Sequence, residues 1–394
     1  MLHLITSSVM GGAQDNTFST AERHDRKRFE VHLACNPRGE WIQRAKSSAD
    51  SFHPIPSLVR PIKPWRDLQG LIELVRLLKR ERFDLVHTHT AKAGFLGRLA
   101  CRLARVPVVI HTYHAFPFHD FMPKWKRQFY VWLERLARPV TEFFITVSED
   151  ARQQGKCLKV LEWERSRTVY SGIDFSKLDR AADPNRRPLD AQIPLGCKTI
   201  LMAGRFDRQK APQLLVEAFS GVLKSHPNTV LLMAGDGDLR GVVEERIQRL
   251  RLQGKVRLLG FRDDVPDLLK MADIFALSSL WEGMGRAMTE AMLLGKPVVV
   301  PRVNGIPEIV HHGQTGLLYE VGRVDQLATS LCQLLDHPEE RERLGANARR
   351  LTRQLFDVNH MVGQIEGIYE SLLRAPAFPN VTPLPVEEEK QLSA

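Results

Sequence analysis

Short apolar runs alternate along the whole chain with stretches in which apolar residues recur at helical spacing. The runs fall at 2–5, 30–35, 84–88, 107–112, 143–147 and 167–170, and again at 199–203, 228–234, 256–260, 273–277, 297–300 and 317–319. Between them lie amphipathic stretches such as 67–82, 95–105, 210–225, 238–253 and 323–336. Strands alternating with helices predict parallel sheets covered on both faces, and the pattern occurs twice. The expected class is therefore α/β, with two doubly wound, Rossmann-like domains facing across a cleft. The periodicity breaks around 174–198, where Asp183-Pro184-Asn185-Arg186-Arg187-Pro188 and Pro194 interrupt it. This places an N-terminal domain at 1–174 and a C-terminal domain at 175–358. A last helical stretch, 359–373, is expected to pack back on the first domain. Residues 375–394 are Pro-rich and then acidic at Glu387-Glu388-Glu389, and read as a disordered tail.

Length supports the division, since 394 residues exceed one ordinary core. The apolar and charged fractions, 43% and 26%, are those of a soluble globular protein. Charge is unevenly spread: residues 1–193 carry 32 Lys and Arg against 21 Asp and Glu, and the remainder 24 against 25. The excess of the N-terminal half points to an anionic partner there. Cys35, Cys101, Cys157, Cys197 and Cys332 are scattered without metal or C-x-x-C spacing, as expected of buried free thiols in a reducing cytosol. No apolar run is long enough to span a bilayer, and the chain opens on a strand with no basic-then-apolar leader. A cytoplasmic enzyme, with its basic half available to the inner face of a membrane, is the expectation.

The candidate chemistry gathers at strand ends. Trp281-Glu282-Gly283-Met284-Gly285-Arg286-Ala287-Met288-Thr289-Glu290 runs from a strand's end into a helix. Its glycines leave N–H groups free for an anion, and its two acids bracket them. Arg205 and Lys210, in Gly204-Arg205-Phe206-Asp207-Arg208-Gln209-Lys210, follow the first strand of the second domain and suit a diphosphate. Gly11-Gly12 joins the first strand to the first helix, where backbone can approach a phosphate or sugar; a tight turn is the plain alternative. Gly235-Asp236-Gly237 imitates a dinucleotide fingerprint but has Arg240 at the third glycine, so a turn with a helix cap is the better reading. His87, His89, His111 and His114 end two neighbouring strands and suggest a polar pocket, without carboxylate or thiol at metal-ligand spacing. Phe116, Phe118, Phe121, Met122, Trp125 and Tyr130 interleave with Lys124, Lys126, Arg127 and Arg135. That segment reads as a membrane-surface element or as a core-facing helix with a basic outer face, and stacking on nucleic acid would use the same residue types. Val303-Asn304-Gly305-Ile306-Pro307-Glu308 forms a further loop at the edge that holds Glu282 and Glu290, read equally as an ordinary βα turn or as a ligand contact.

Taken in order, Gly11-Gly12-Ala13, His114, Ser171-Gly172-Ile173-Asp174, Gly204-Arg205 with Lys210, Gly235-Asp236-Gly237 and the Glu282 to Glu290 E-x7-E resemble the retaining GT-B glycosyltransferases of family 4, the glycosyl transferases group 1. The resemblance covers about residues 1–373, and His87 to Gly94 resembles members acting on bacterial surface polysaccharides. It implies transfer of a hexose or N-acetylhexosamine from a nucleoside-diphosphate sugar, UDP ahead of GDP by family frequency, to a glycan or lipid-linked acceptor. By the same resemblance Glu290 would hold the ribose hydroxyls and Glu282 would lie against the donor sugar. Arg205, Lys210 and the N–H groups of Gly12 and of Met284, Gly285 and Arg286 would neutralise the diphosphate, beside Gly11 and Gly283. His114 would touch the sugar hydroxyls. No cofactor or metal and no nucleic acid are implied. Ser171, Ala115 and Asn304 depart from the commoner Asn, Gly and Gly of the family. The rival readings are a nucleotide-sugar 2-epimerase on the same fold, a non-catalytic scaffold in polysaccharide assembly and, through the degraded glycine motif, an NAD oxidoreductase.

Overall fold

A computed structural model describes residues 1–180, 193–194 and 196–374. The predicted interruption at 183–188 and the acidic tail from 375 lie outside the described residues. The chain divides into two compact units, one of residues 1–146, 152–169 and those from 362 onward, the other of residues 147–151 and 170–361.

The first unit holds a seven-stranded sheet of β1 (Leu2–Ser7), β2 (His32–Asn36), β3 (Ser51–Pro54), β4 (Leu85–His89), β5 (Val108–Tyr113), β6 (Phe143–Thr146) and β7 (Ser166–Thr168), ordered β3-β2-β1-β4-β5-β6-β7. Every pairing is parallel. The order reverses between β1 and β4, which makes the carboxyl ends of those two strands the ligand edge of such a sheet. β3 is absent from the apolar runs because Ser51-Phe52-His53-Pro54 is a half-exposed edge strand with little apolar surface to bury. The helix predicted at 67–82 begins earlier, at Pro64, whose fixed φ suits the first helical position, and ends at Glu81 before Arg82 turns left-handed at φ 53°. The helix Ala91–Ala104 lies close on the sheet because Gly94 and Gly97 face it. A Cβ at Gly94 would meet the His111 ring and one at Gly97 would meet Leu4. Behind it, Arg98 is fully buried and paired with Glu134 at 2.5 Å, while Tyr113 donates its hydroxyl to the same carboxylate. This polar joint fastens the helix Lys124–Ala137, and removing one partner of such a pair costs about 3–5 kcal/mol.

The second unit holds a six-stranded sheet of β8 (Lys198–Ala203), β9 (Thr229–Ala234), β10 (Val256–Gly260), β11 (Ile274–Ala276), β12 (Val298–Pro301) and β13 (Leu317–Tyr319), ordered β10-β9-β8-β11-β12-β13, again all parallel. Its core is one continuous cluster that includes Ile200, Leu201, Phe206, Phe219, Leu231, Phe275 and Val299. The reversal falls between β8 and β11. Hence Gly204 to Lys210, after β8, and Trp281 to Glu290, after β11, flank the crevice where this topology binds ligand. Of the five thiols expected to be buried only Cys35 and Cys101 are, and burial pushes the Cys35 thiol up to about 12, so both act as small apolar residues; Cys157 is exposed on the helix Glu149–Cys157, and Cys197 and Cys332 are half-buried.

Candidate active site

In the second unit backbone hydrogen bonds fix the start of the loop after β8 and the strand ends beside it. Gly204 N–H donates to Ala234 O, Phe206 N–H to Asp236 O and Gly235 N–H to Gly260 O. The crossing is so close that a Cβ at Gly235 would sit 1.9 Å from Gly204 O, and Gly235 has φ 143°. A Cβ at Gly237 would meet Phe206 O at 2.6 Å. The glycine pair that imitates a dinucleotide fingerprint therefore serves as a clasp that fixes the path of the Arg205 loop. No side chain could replace either glycine without moving the neighbouring strand end.

Lys210 and Glu282 come together. Lys210 Nζ lies 2.5 Å from Glu282 Oε1, and Ser279 Oγ donates to the same oxygen at 2.6 Å. Gln209 Nε2 reaches the second oxygen at 3.5 Å. The Glu282 side chain is only 4% exposed, so the charge is matched by a neighbouring cation rather than by water. The backbone N–H of Glu282 donates to Asn304 Oδ1. Asn304 stands at φ 46°, a left-handed conformation that asparagine tolerates better than most side chains. Its departure from glycine thus keeps the turn and adds a bond to the acidic loop. Ser279 carries no sequence signal of its own, and the Asn304 loop shows its bond to Glu282 only in the fold.

Gly283, Met284 and Gly285 lead into the helix Arg286–Leu293, with Gly285 left-handed at φ 70° as its N-cap. Gly285 has no side chain with which to cap this terminus. Glu290 sits one turn inside the helix, bonded to Arg286 Nε at 3.1 Å. Arg205 stands apart from the Lys210–Glu282 pair: it is 59% exposed and rests against Asp207 at 3.3 Å. Glu308, not singled out by the sequence, accepts the N–H groups of Glu149 and Asp150 and the Tyr170 hydroxyl.

In the first unit, Gly11 caps the helix Gly12–Arg23 with extended backbone, and Gly12 is exposed with open space around its Cα. The four histidines do not share one pocket. Alternation along β4 and β5 sends His111 to the opposite face with Thr88, whose hydroxyl lies 2.9 Å from His111 Nδ1. His87, His89 and His114 stay on the other face, joined there by His3 of β1 and by His24. Burial lowers the pKa of every one of these rings, His114 to about 4. His87 is bonded on one side to the Tyr369 hydroxyl and on the other to Thr112.

The aromatic segment divides: Phe116 to Met122 precede the helix Lys124–Ala137, with Phe118 buried and Phe116 and Met122 packed beside it, while the helix buries Val131, Glu134 and Ala137 and leaves Trp125, Phe129, Trp132 and Leu136 on its outer face. The outer face is thus apolar as well as basic. A second helix of the same unit, Pro64–Glu81, turns Trp65, Leu68 and Ile72 outward, with Ile62 just before it. Trp65 is 81% exposed and Trp125 73%, unusual for so large an apolar side chain. None of the described helices is long and apolar enough to cross a membrane.

Two Rossmann-like sheets, with a cation–carboxylate pair and an acid-bearing helix start at the switch point of the second, give the architecture of the GT-B fold. Residues 10–177 match Glycosyltransferase Family 4 and residues 188–351 match Glycosyl transferases group 1, and the chain belongs to this family of glycosyltransferases. It is 32% identical over 376 residues to the UDP-Gal:alpha-D-GlcNAc-diphosphoundecaprenol alpha-1,3-galactosyltransferase of Escherichia coli, a match covering 93% of this chain and 95% of that protein. It is 24% identical over 360 residues to the capsular polysaccharide biosynthesis glycosyltransferase CapM of Staphylococcus aureus, covering 89% of this chain and 92% of the other. Among solved structures, Anabaena HepE in complex with UDP and glucose has a similar fold, with a TM-score of 0.80 at 23% identity over 94% of this chain and 100% of that one.

Proposed function

We propose that this glycosyltransferase moves a hexose or N-acetylhexosamine from a UDP-sugar to a lipid-linked or glycan acceptor of bacterial polysaccharide or glycolipid synthesis, with retention at the anomeric carbon. The observation that carries the reading is the Lys210–Glu282 pair beside the helix that bears Glu290. Glu290 takes the ribose hydroxyls. Lys210, Arg205 and the N–H groups at Met284, Gly285 and Arg286 meet the diphosphate, whose charge grows as the glycosidic bond breaks and the sugar becomes oxocarbenium-like. His114 supplies a hydroxyl contact to the sugar. Glu282 Oε1 already accepts from Lys210 and Ser279, which favours a positioning role over attack on the anomeric carbon. Cations and helix amides supply the positive charge that a divalent metal provides elsewhere, so activity is expected to persist in chelator. The E. coli relative, whose name specifies a UDP-sugar donor and a diphosphoundecaprenol acceptor, supports the nucleotide and the acceptor class.

The outward aromatic faces of Lys124–Ala137 and Pro64–Glu81 would seat the first unit on an anionic membrane, where lipid-linked acceptors reside. Lys124, Lys126, Lys63 and Arg66 flank the apolar residues on the exposed surface and complement acidic headgroups.

The test is a thermal-shift panel of UDP, GDP, ADP and NAD on the protein and on Glu290→Ala, followed by UDP release with and without a diphosphate-lipid acceptor. Saturation at a hundredfold over Kd stabilises by about 2.7 kcal/mol. Selective stabilisation by UDP, weakened in Glu290→Ala, and release of UDP only with acceptor are expected. Stabilisation by NAD alone, or acceptor-independent turnover of a UDP-sugar to an epimer, would overturn the reading.

A further inference from the structure

Four imidazoles of the first unit form one unbroken hydrogen-bonded file. His114 Nε2 lies 3.1 Å from His89 Nδ1, and His89 Nε2 lies 3.0 Å from His3 Nδ1. His3 Nε2 lies 3.0 Å from His24 Nε2, and His24 Nδ1 lies 3.0 Å from Glu366 Oε1. The file begins at the strand end that carries His114 and finishes on the last described helix, Val358–Arg374. Glu366 is fixed there by the Asp25 N–H, which donates to the same Oε1, and by Arg28 against Oε2.

Direction follows from valence. Burial keeps the rings neutral at pH 7, and a neutral imidazole has one donor and one acceptor nitrogen. The carboxylate of Glu366 can only accept, so His24 must carry its proton on Nδ1. His24 Nε2 is then an acceptor, which requires His3 to carry its proton on Nε2. The same step forces Nε2–H at His89 and then at His114. His114 is left with its lone pair on Nδ1, which has no hydrogen-bond partner among the described residues. Both nitrogens of His3, His87 and His89 are committed to protein partners, so these three rings, whose nitrogens lie within 4.8 Å of one another, are better understood as links than as metal ligands.

We propose that Glu366 is a remote positioning residue that sets the tautomer of His114 through His24, His3 and His89, presenting Nδ1 as an acceptor for a donor-sugar hydroxyl. The last clause rests on the donor contact assigned to His114 above; the relay itself does not.

The experiment is nitrogen-15 NMR of histidine-labelled protein, with UDP-sugar kinetics on the same samples, for the wild type, Glu366→Gln and Glu366→Ala. The Asp25 N–H requires an oxygen at the Oε1 position, so Glu366→Gln keeps an acceptor toward His24. The expected pattern in wild type and Glu366→Gln is Nδ1–H at His24 and Nε2–H at His3, His89 and His114. In Glu366→Ala the His114 signal should become a mixture of tautomers, with kcat/KM for the donor falling about fivefold to tenfold, the scale of one hydrogen bond. An imidazolium at His24 with Nδ1–H at His114 in the wild type would overturn the relay, as would an unchanged tautomer pattern in Glu366→Ala. Redistribution of tautomers with unchanged donor kinetics would uphold the relay and overturn the contact of His114 with the sugar.

Discussion

Replacing Lys210 by methionine keeps most of the side chain's stem and removes its charge, leaving Glu282 buried with Ser279 and Gln209 as its remaining side-chain partners. Breaking a fully buried pair costs about 3–5 kcal/mol. Lys210 retains 17% exposure against 4% for Glu282, so water offsets part of the loss and about 2–3 kcal/mol is expected. For a unit of this size that corresponds to a fall of roughly 4–12 °C in its unfolding transition. Glu282→Gln in the same background removes the orphaned charge, so Lys210→Met/Glu282→Gln should be more stable than Lys210→Met alone, with a coupling of about 0.5–3 kcal/mol. Turnover should behave differently. A cation withdrawn from the diphosphate costs on the order of a hundredfold to a thousandfold in kcat, and neutralising Glu282 does not restore it. Calorimetry and UDP-release kinetics on the four proteins of the cycle separate the two effects. Additive stabilities would refute the buried-pair argument, and recovery of turnover in the double variant would show that Lys210 serves only to hold Glu282.

Gly235→Ala should destabilise the second unit by about 2–4 kcal/mol, read from the urea midpoint, because the new methyl has no space against Gly204 O; an unchanged midpoint would contradict the clasp. The buried histidines make the first unit acid-labile. Their folded pKa values lie below the unfolded 6.5, so stability is full above about 6.5 and declines as pH falls toward about 4, the folded value of His114. Each such ring contributes about 1.4 kcal/mol per pH unit in that window, and His114→Gln should flatten the slope of stability against pH by about one ring's share. Trp125→Ser/Trp132→Ser should reduce co-sedimentation with phosphatidylglycerol vesicles at least about tenfold while leaving thermal stability within about 0.5 kcal/mol, since both side chains are exposed; undiminished binding would remove the membrane role of that face.

The strands were legible because parallel sheets bury both faces and print as apolar runs, and the strand-to-helix setting of the Glu282–Glu290 loop was legible from the apolar runs on either side of it. What the sequence could not display was partnership across distance. His3 and His24 look like isolated histidines until β1 and β4 pair, since nothing local distinguishes them. Ser279 and Asn304 are ordinary loop residues whose value lies in one bond each to Glu282. The outward stripe of Trp65, Leu68 and Ile72 has the same helical spacing as a core-facing one, and only packing tells which side is wet. Gly235-Asp236-Gly237 shows the converse: a ligand-like pattern whose work is to let two backbones cross.

Tyr369, fully buried against His24, Phe29 and His87, and Glu366, which bonds to His24, come from the last described turns of the chain yet complete a sheet whose first strand is Leu2–Ser7. During synthesis β6 is finished more than 200 residues before Tyr369 is added. At about 5–20 residues per second, the nascent sheet waits roughly 10–40 seconds with its histidine file unterminated and the Tyr369 seat empty. The first unit is therefore sealed long after its strands are made, and a chain truncated short of residue 366 would lack both the carboxylate that ends the histidine file and the ring that covers His24 and His87.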